Sequence, residues 1–151
     1  MISQTTEYAL RAVVFLANRP DESCTTVVIA EGTLVPTGYL AKVMHSLARA
    51  GIVHSQRGPH GGFHLQADPK DLTALDVTEV MEPVQRFGKC PLGIEHHTPG
   101  LCPLHRVLDD IGAIMEETLG KTTIADLLKG AGGRIPLCKV AAANDIHQIT
   151  D

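Results

Sequence analysis

The stretch from Gly32 to Gly51 constrains this chain more than any other. Gly32-Thr33-Leu34-Val35-Pro36 reads as a tight turn, and Thr37 stands where a helix N-cap belongs. Leu40, Val43, Met44 and Leu47 then recur at helical spacing as one apolar stripe, with Gly51 as the C-terminal stop. Lys42, His45, Ser46 and Arg49 fall on the opposite face. Upstream, the apolar Val27, Ile29 and Ala30 predict a short helix over Thr26 to Glu31. A short helix, a tight turn and a second capped helix make a helix-turn-helix.

The residues after Gly51 complete that motif. Ile52-Val53-His54-Ser55 and Phe63-His64-Leu65 predict two short strands, and Gln56-Arg57-Gly58-Pro59-His60-Gly61-Gly62 between them is too rich in Gly and Pro to be anything but a loop. The result is a β-hairpin with a basic tip, the wing of a winged helix. In that fold the second helix of the motif enters a major groove and the wing reaches phosphates or a minor groove. The residues placed to do so are Thr37, Gly38, Tyr39, Lys42, Ser46 and Arg49 on the helix, with Arg57 and His60 in the wing. Arg57 suits a narrow minor groove, where the potential is most negative. Lys42 and Arg49 suit phosphates, which position a protein without reading sequence. The competing reading keeps the winged helix but gives it protein contacts, with Lys42 and Arg49 as ordinary solvated charges.

Charge allows DNA binding without requiring it. The net charge is −4, which would argue against a nucleic-acid partner if it were evenly spread. Residues 1–65, however, hold five Lys/Arg against four acids, whereas residues 66–151 hold eight against thirteen. Aromatic residues are only 3% of the chain, with no Trp, so base-stacking platforms are not expected. No apolar run reaches the roughly 18 residues of a membrane span, and Met1-Ile2-Ser3-Gln4 lacks the order of a secretory signal. The expectation is a soluble, cytoplasmic protein with no membrane partner.

The rest of the chain predicts more helix. Ser3 caps a helix running to Ala17, Asp76 to Glu82 is a short helix stopped by Pro83, and residues 88–103 form a loop. A long helix from Pro103 to about Leu119 carries Leu104, Val107, Leu108, Ile111 and Met115 on one stripe, and Ile124 to Leu128 adds a final turn or two. From residue 130 onward periodicity is lost, which reads as a mobile tail. The expected fold class is mainly α with a small β-wing: a winged helix-turn-helix plus a long dimerisation helix. Its parts are a DNA-binding head (1–83), a metal-binding loop (84–102), a dimerisation helix with a final short helix (103–129) and the tail (130–151).

The cysteines supply the second chemistry. Cys24 and Cys138 lie without partners nearby in sequence and read as incidental. Cys90 and Cys102 each begin a Cys-Pro-Leu tripeptide and bracket a loop carrying His96 and His97, with His105 one helical turn after Cys102. Cys102 falls at the N-cap of the long helix, where the dipole and the open amides favour a thiolate. Such a set admits an iron–sulfur cluster with some non-thiolate ligands, a zinc ion held by two thiolates and two imidazoles, a reversible Cys90–Cys102 disulfide, or an unliganded loop. A metal-dependent enzyme is a remote alternative: Glu95 is the one acid within the loop, and nothing suggests a substrate pocket.

Several segments together resemble the winged-helix transcriptional regulators that include IscR, NsrR and CymR. They are Thr6-Glu7-Tyr8-Ala9-Leu10-Arg11, Tyr39-Leu40-Ala41-Lys42-Val43, the wing Arg57-Gly58-Pro59-His60-Gly61-Gly62-Phe63, the Cys90–Cys102 loop and Thr123-Ile124-Ala125-Asp126-Leu127. The resemblance spans about residues 1–130. It implies a homodimer whose long helices cross at the interface, binding a near-palindromic operator, most often as a repressor. Cluster-binding members carry three cysteines in this loop, whereas this chain has His96 where the middle one is expected. His105 matches a histidine ligand of IscR-like members, and Glu7 a carboxylate that some members offer from the partner subunit's first helix. The ligand set implied is Cys90 and Cys102, with His96, His105 and Glu7 competing for the remaining places; Glu7 reads equally well as an i, i+4 partner of Arg11. Such ligands favour a 2Fe–2S cluster over a 4Fe–4S one, sensing redox state, nitric oxide or iron–sulfur status. Ala41 stands where IscR-like members use an acidic residue in base discrimination, so the operator need not be theirs.

Overall fold

The computed structural model describes residues 2–93 and 100–129. His96, His97, Cys138 and the tail expected from residue 130 lie outside the described residues. In chain order the elements are α1 (Gln4–Ala17), α2 (Thr26–Thr33), α3 (Thr37–Arg49), β1 (Val53–Gln56), β2 (Gly62–Leu65), α4 (Ala74–Met81), α5 (Pro103–Lys121) and α6 (Ile124–Leu128). None of the described helices is by itself long and apolar enough to cross a membrane.

Helix α1 is the hub. Ser3 caps it as expected, its side chain accepting from the Thr6 N–H. The run Ala12-Val13-Val14-Phe15-Leu16-Ala17 is buried on every face because α2, α3, α4, α6 and β2 all pack on it. Small residues at Ala9 and Ala12 allow those elements to approach closely. Leu40, Val43, Met44 and Leu47 of α3 close the core from below, which turns the other side of α3 outward.

The turn between α2 and α3 differs in detail from the sequence expectation. Helix α2 continues through Gly32 to Thr33, and α3 leaves it at 114°. The reversal falls on Leu34, which adopts φ 57° and ψ 34° and whose N–H closes on the Ala30 carbonyl. Gly32 serves packing instead: a Cβ there would sit 2.1 Å from Cε2 of Phe15, itself 1% exposed. Gly32→Ala therefore overpacks the core at a cost of about 1–3 kcal/mol, read as a fall of several degrees in Tm. An unchanged Tm would show that Phe15 has room to move. Thr37, expected as the N-cap of α3, is instead its first helical residue. Pro36 takes the cap position, since its carbonyl accepts from the N–H groups of Tyr39 and Leu40, and no side chain caps this end.

The wing pairs antiparallel with Val53 opposite Leu65, His54 opposite His64, Ser55 opposite Phe63 and Gln56 opposite Gly62. The backbone at Cys24 has a structural place: its N–H and C=O bond the Phe63 backbone at 2.9 and 2.8 Å, covering the outer edge of β2. Its side chain is buried, and that burial pushes the thiol pKa up, which keeps it inert.

Helix α4 begins two residues earlier than expected because Thr73 and Asp76 form a capping box. Thr123 and Asp126 repeat the device at α6. The two caps meet: the Ala74 N–H donates to Thr122 O and the Ile124 N–H to Leu72 O, both at 2.8 Å. Ile124 is thereby fully buried in the core of the head. Helix α5 runs two residues beyond the expected end.

Candidate DNA-reading face and metal centre

Burial of the α3 stripe decides which side chains face away from the core. Thr37, Gly38, Tyr39, Lys42 and Arg49 are exposed, and Ser46 is half-buried. Arg57 and His60 stand exposed at the wing tip, where the Gly61 N–H donates to Gly58 O at 2.9 Å. A Cβ on Gly61 would lie 2.6 Å from Gln56 O, so the tip closes this tightly only around glycine. Among the described residues Lys42, Arg49 and Arg57 take part in no ion pair, while Arg11, Arg19, Arg86, Lys121 and Lys129 do. Cations left unpaired on the face of one helix and the adjoining loop are available to phosphates. The uncapped N-terminus of α3 adds open backbone amides to the same face.

Behind this face lies a polar connection that the sequence did not predict beyond its first link. Glu7 Oε1 accepts from Arg11 Nη2 at 2.5 Å, the i, i+4 pair expected as one of its two roles. Arg11 Nη1 donates to Thr33 O at 3.3 Å, and its guanidinium lies 5.9 Å from the Tyr8 ring centre. Tyr8 meets Tyr39 edge-on at 6.4 Å. Helix α1 thus holds both the end of α2 and the first turn of α3.

The metal candidates come together at the start of α5. Cys102 occupies its N-cap and Pro103 its first position. His105 Nδ1 lies 3.1 Å from Cys102 Sγ and 3.7 Å from Cys90 Sγ. The three ligand atoms all fall within 4.8 Å of one another, and among the described residues this is the one such grouping. Cys102 and His105 are each 9% exposed. The His105 backbone amide, then its ring, hold the Cys102 thiol down to about 7, with Cys90 adding a smaller share. Tetrahedral metal–sulfur and metal–nitrogen bonds of about 2.3 and 2.0–2.1 Å put neighbouring ligand atoms near 3.5–4 Å apart. The Cys90–His105 separation matches this, and the Cys102–His105 one is a few tenths of an ångström short, so a small side-chain shift would admit one metal ion or one iron of a cluster. Of the remaining sequence candidates, His96 lies outside the described residues, and Glu7 engages Arg11 within its own chain.

Two further features frame this centre, and sequence reasoning missed both. Phe87 packs its ring 5.1 Å from that of His105. Next to it, Arg86 donates to both carboxylate oxygens of Asp109, at 2.8 and 3.0 Å, and to Glu116 at 2.5 Å. The Phe87 N–H also donates to Asp109. Arg86 and the Phe87 amide hold the Asp109 carboxyl down to about 2. Only the folded chain brings Arg86 to residues 23 and 30 positions away.

The outer side of α5 is apolar and open. Leu104, Ile111 and Ile114 are 63%, 54% and 64% exposed, with Val107 and Leu108 beside them. Ile114 was absent from the predicted stripe, although its i+3 spacing from Ile111 and i+7 from Val107 marks it. A contiguous apolar face of this kind is an interaction surface rather than ordinary exposure.

Comparison with known proteins agrees with this geometry. The model of the Rrf2 family, described as iron-dependent transcriptional regulators, matches residues 2–130. An HTH-type transcriptional regulator of Aquifex aeolicus is 31% identical over 131 residues, covering 85% of this chain and 91% of the relative. The regulator BadM of Rhodopseudomonas palustris is 34% identical over 128 residues, covering 85% and 81%. Among solved structures, CymR, the global cysteine regulator of B. subtilis, superposes with a TM-score of 0.69 at 28% identity, covering 84% of this chain and 95% of that one. IscR of T. potens gives 0.70 at 27% identity, covering 85% and 86%. All are regulators, which sets aside the enzyme alternative.

Proposed function

The chain belongs to the Rrf2 family of transcriptional regulators, and from that premise we propose that it is a homodimeric repressor whose operator binding is governed by an iron–sulfur cluster, 2Fe–2S in preference to 4Fe–4S. The observation that carries the proposal is the convergence of Cys90, Cys102 and His105 at the start of α5. In this reading residues 1–83 form the DNA-binding head, 84–102 the cluster loop and 103–129 the dimerisation segment, of which α5 serves the interface while α6 returns to pack in the core of the head. His96 and the partner subunit's Glu7 are the remaining candidate ligands.

Two soft thiolates beside an imidazole suit iron or zinc and disfavour hard cations. When bound, a cluster of this type supplies a one-electron couple, raised in potential by its non-thiolate ligands, and iron open to nitric oxide. The chain's own residues convert its presence into geometry. Cys90 ends the segment that leaves α4, whereas Cys102 and His105 belong to α5. Holding all three on one group ties the segment after α4 to the start of α5, and releasing them frees that end of the helix. A change in head separation then favours or disfavours two successive major grooves, and the shift equals the difference in binding between the two states. Thr37, Gly38, Tyr39, Lys42, Ser46 and Arg49 face the major groove in this arrangement, with Arg57 and His60 beside it.

A second reading is supported by the same three atoms and by the likeness to CymR: zinc at this centre, or reversible oxidation of Cys90 and Cys102.

The DNA half of the proposal is tested with duplexes that the protein selects from a random pool, measured by fluorescence anisotropy. Affinity falls steeply with salt, as several phosphate contacts per dimer require. Arg57→Ala weakens binding by about tenfold or more, in line with about 1–3 kcal/mol for a groove-inserted arginine, and leaves the dimer intact. A flat salt dependence, or an Arg57→Ala variant that binds unchanged, would point to a protein partner for this face.

A further inference from the structure

The wing carries a second set of metal-ligating side chains, remote from the cysteines. Side chains alternate along β1 and β2: Val53 is buried and Phe63 and Leu65 pack on the core, so His54 and His64 take the outward face. The two histidines stand directly opposite each other in the register. Their ring centres are 5.0 Å apart and the ring planes are inclined at 45°. His54 is exposed and His64 half-buried. His64 also lines a cleft of about 220 Å³ together with Pro20, Asp21, Glu22 and Ser23, so two acidic residues border the same depression, with Glu22 also facing Arg19 Nε at 3.9 Å.

We propose that His54 and His64 form a site for a divalent transition-metal cation of borderline softness, of the class of Ni²⁺, Zn²⁺ and Cu²⁺. Imidazole suits these ions, while hard cations prefer oxygen. Rings at this separation let one nitrogen from each strand reach a common ion at about 2.0–2.1 Å with only side-chain rotation. Water completes the coordination. One ligand comes from each strand, so the ion binds the paired hairpin and not the open chain, and binding stabilises the wing by mass action. The site does not depend on whether the wing touches DNA or on what the cysteines hold.

Nuclear magnetic resonance on the full chain, with the cysteine centre first filled by one equivalent of Zn²⁺, tests the proposal by titration with paramagnetic Ni²⁺. The expected result is saturable broadening of the amides of residues 53–55 and 63–65 at one further equivalent. His54→Gln or His64→Gln each weakens that binding by at least about tenfold, or roughly 1.4 kcal/mol, while His60→Gln leaves it unchanged. Both substitutions lie on the outward face, and unshifted amides of α1 and α3 confirm the fold. Broadening at the wing that survives either single variant would overturn the paired site, since one imidazole would then suffice. So would the absence of saturable broadening there, which would leave His54 and His64 as a cross-strand pair that only packs.

Discussion

Ile111→Asp is expected to yield a folded monomer that no longer holds its operator. Ile111 sits midway along the open apolar side of α5, between Leu104 and Ile114, and is 54% exposed in the single chain. Aspartate there costs the isolated head little. In a two-fold interface the substitution appears twice, and each unpaired carboxylate loses several kcal/mol of hydration on burial. At about 1.4 kcal/mol per tenfold, dimer affinity falls on the order of a thousandfold or more. Sedimentation equilibrium reads the change directly. The salt dependence of residual DNA binding should fall by about half, because a lone head neutralises half the phosphates. A variant that remains dimeric would show that α5 meets something other than a second copy.

Cys102→Ala is the second large effect, with loss of all bound iron expected. Cys102 stands at the N-cap position of α5, is the donor nearest His105, and has surroundings that favour its thiolate. Cys90→Ala removes the donor that joins the other segment to it. Each variant should be colourless when prepared without oxygen and bind DNA identically under oxidising and reducing conditions. Retained colour in either would remove that cysteine from the ligand set. Arg86→Ala discriminates further: it breaks the clamp on Asp109 and Glu116 that places Phe87 against His105, without touching a proposed ligand. It should broaden or shift the cluster spectrum while leaving the iron content close to that of the unaltered protein. A spectrum identical to the unaltered one would make the clamp purely structural.

Local pattern explains why the head was so legible in the sequence. The stripe Leu40, Val43, Met44, Leu47 and the glycine-rich tip each specify one structure within a dozen residues. Strand alternation then set the register that places Ser55 opposite Phe63. Where local signals competed, the boundaries moved. Thr37 is a better cap by type than Pro36, yet the Pro36 carbonyl takes the cap role. The capping box at Thr73 was there to be read and fixes α4 two residues before the expected start. The cysteine–histidine cluster was half legible: the Cys102–His105 spacing of one helical turn is local, while the meeting of Cys90 with both depends on the path back from α4. The Arg86 clamp and the Phe87–His105 stack carry no local signature at all.

The central claim is that Cys90, Cys102 and His105 hold an iron–sulfur cluster. Purification without oxygen, followed by a visible spectrum with iron and sulfide analysis, tests it most directly. The expected result is absorbance across roughly 320–550 nm with iron and sulfide in equal amounts, about two of each per chain. A colourless protein, with zinc or with no metal, would contradict the claim and leave the thiolates to a structural ion or a disulfide.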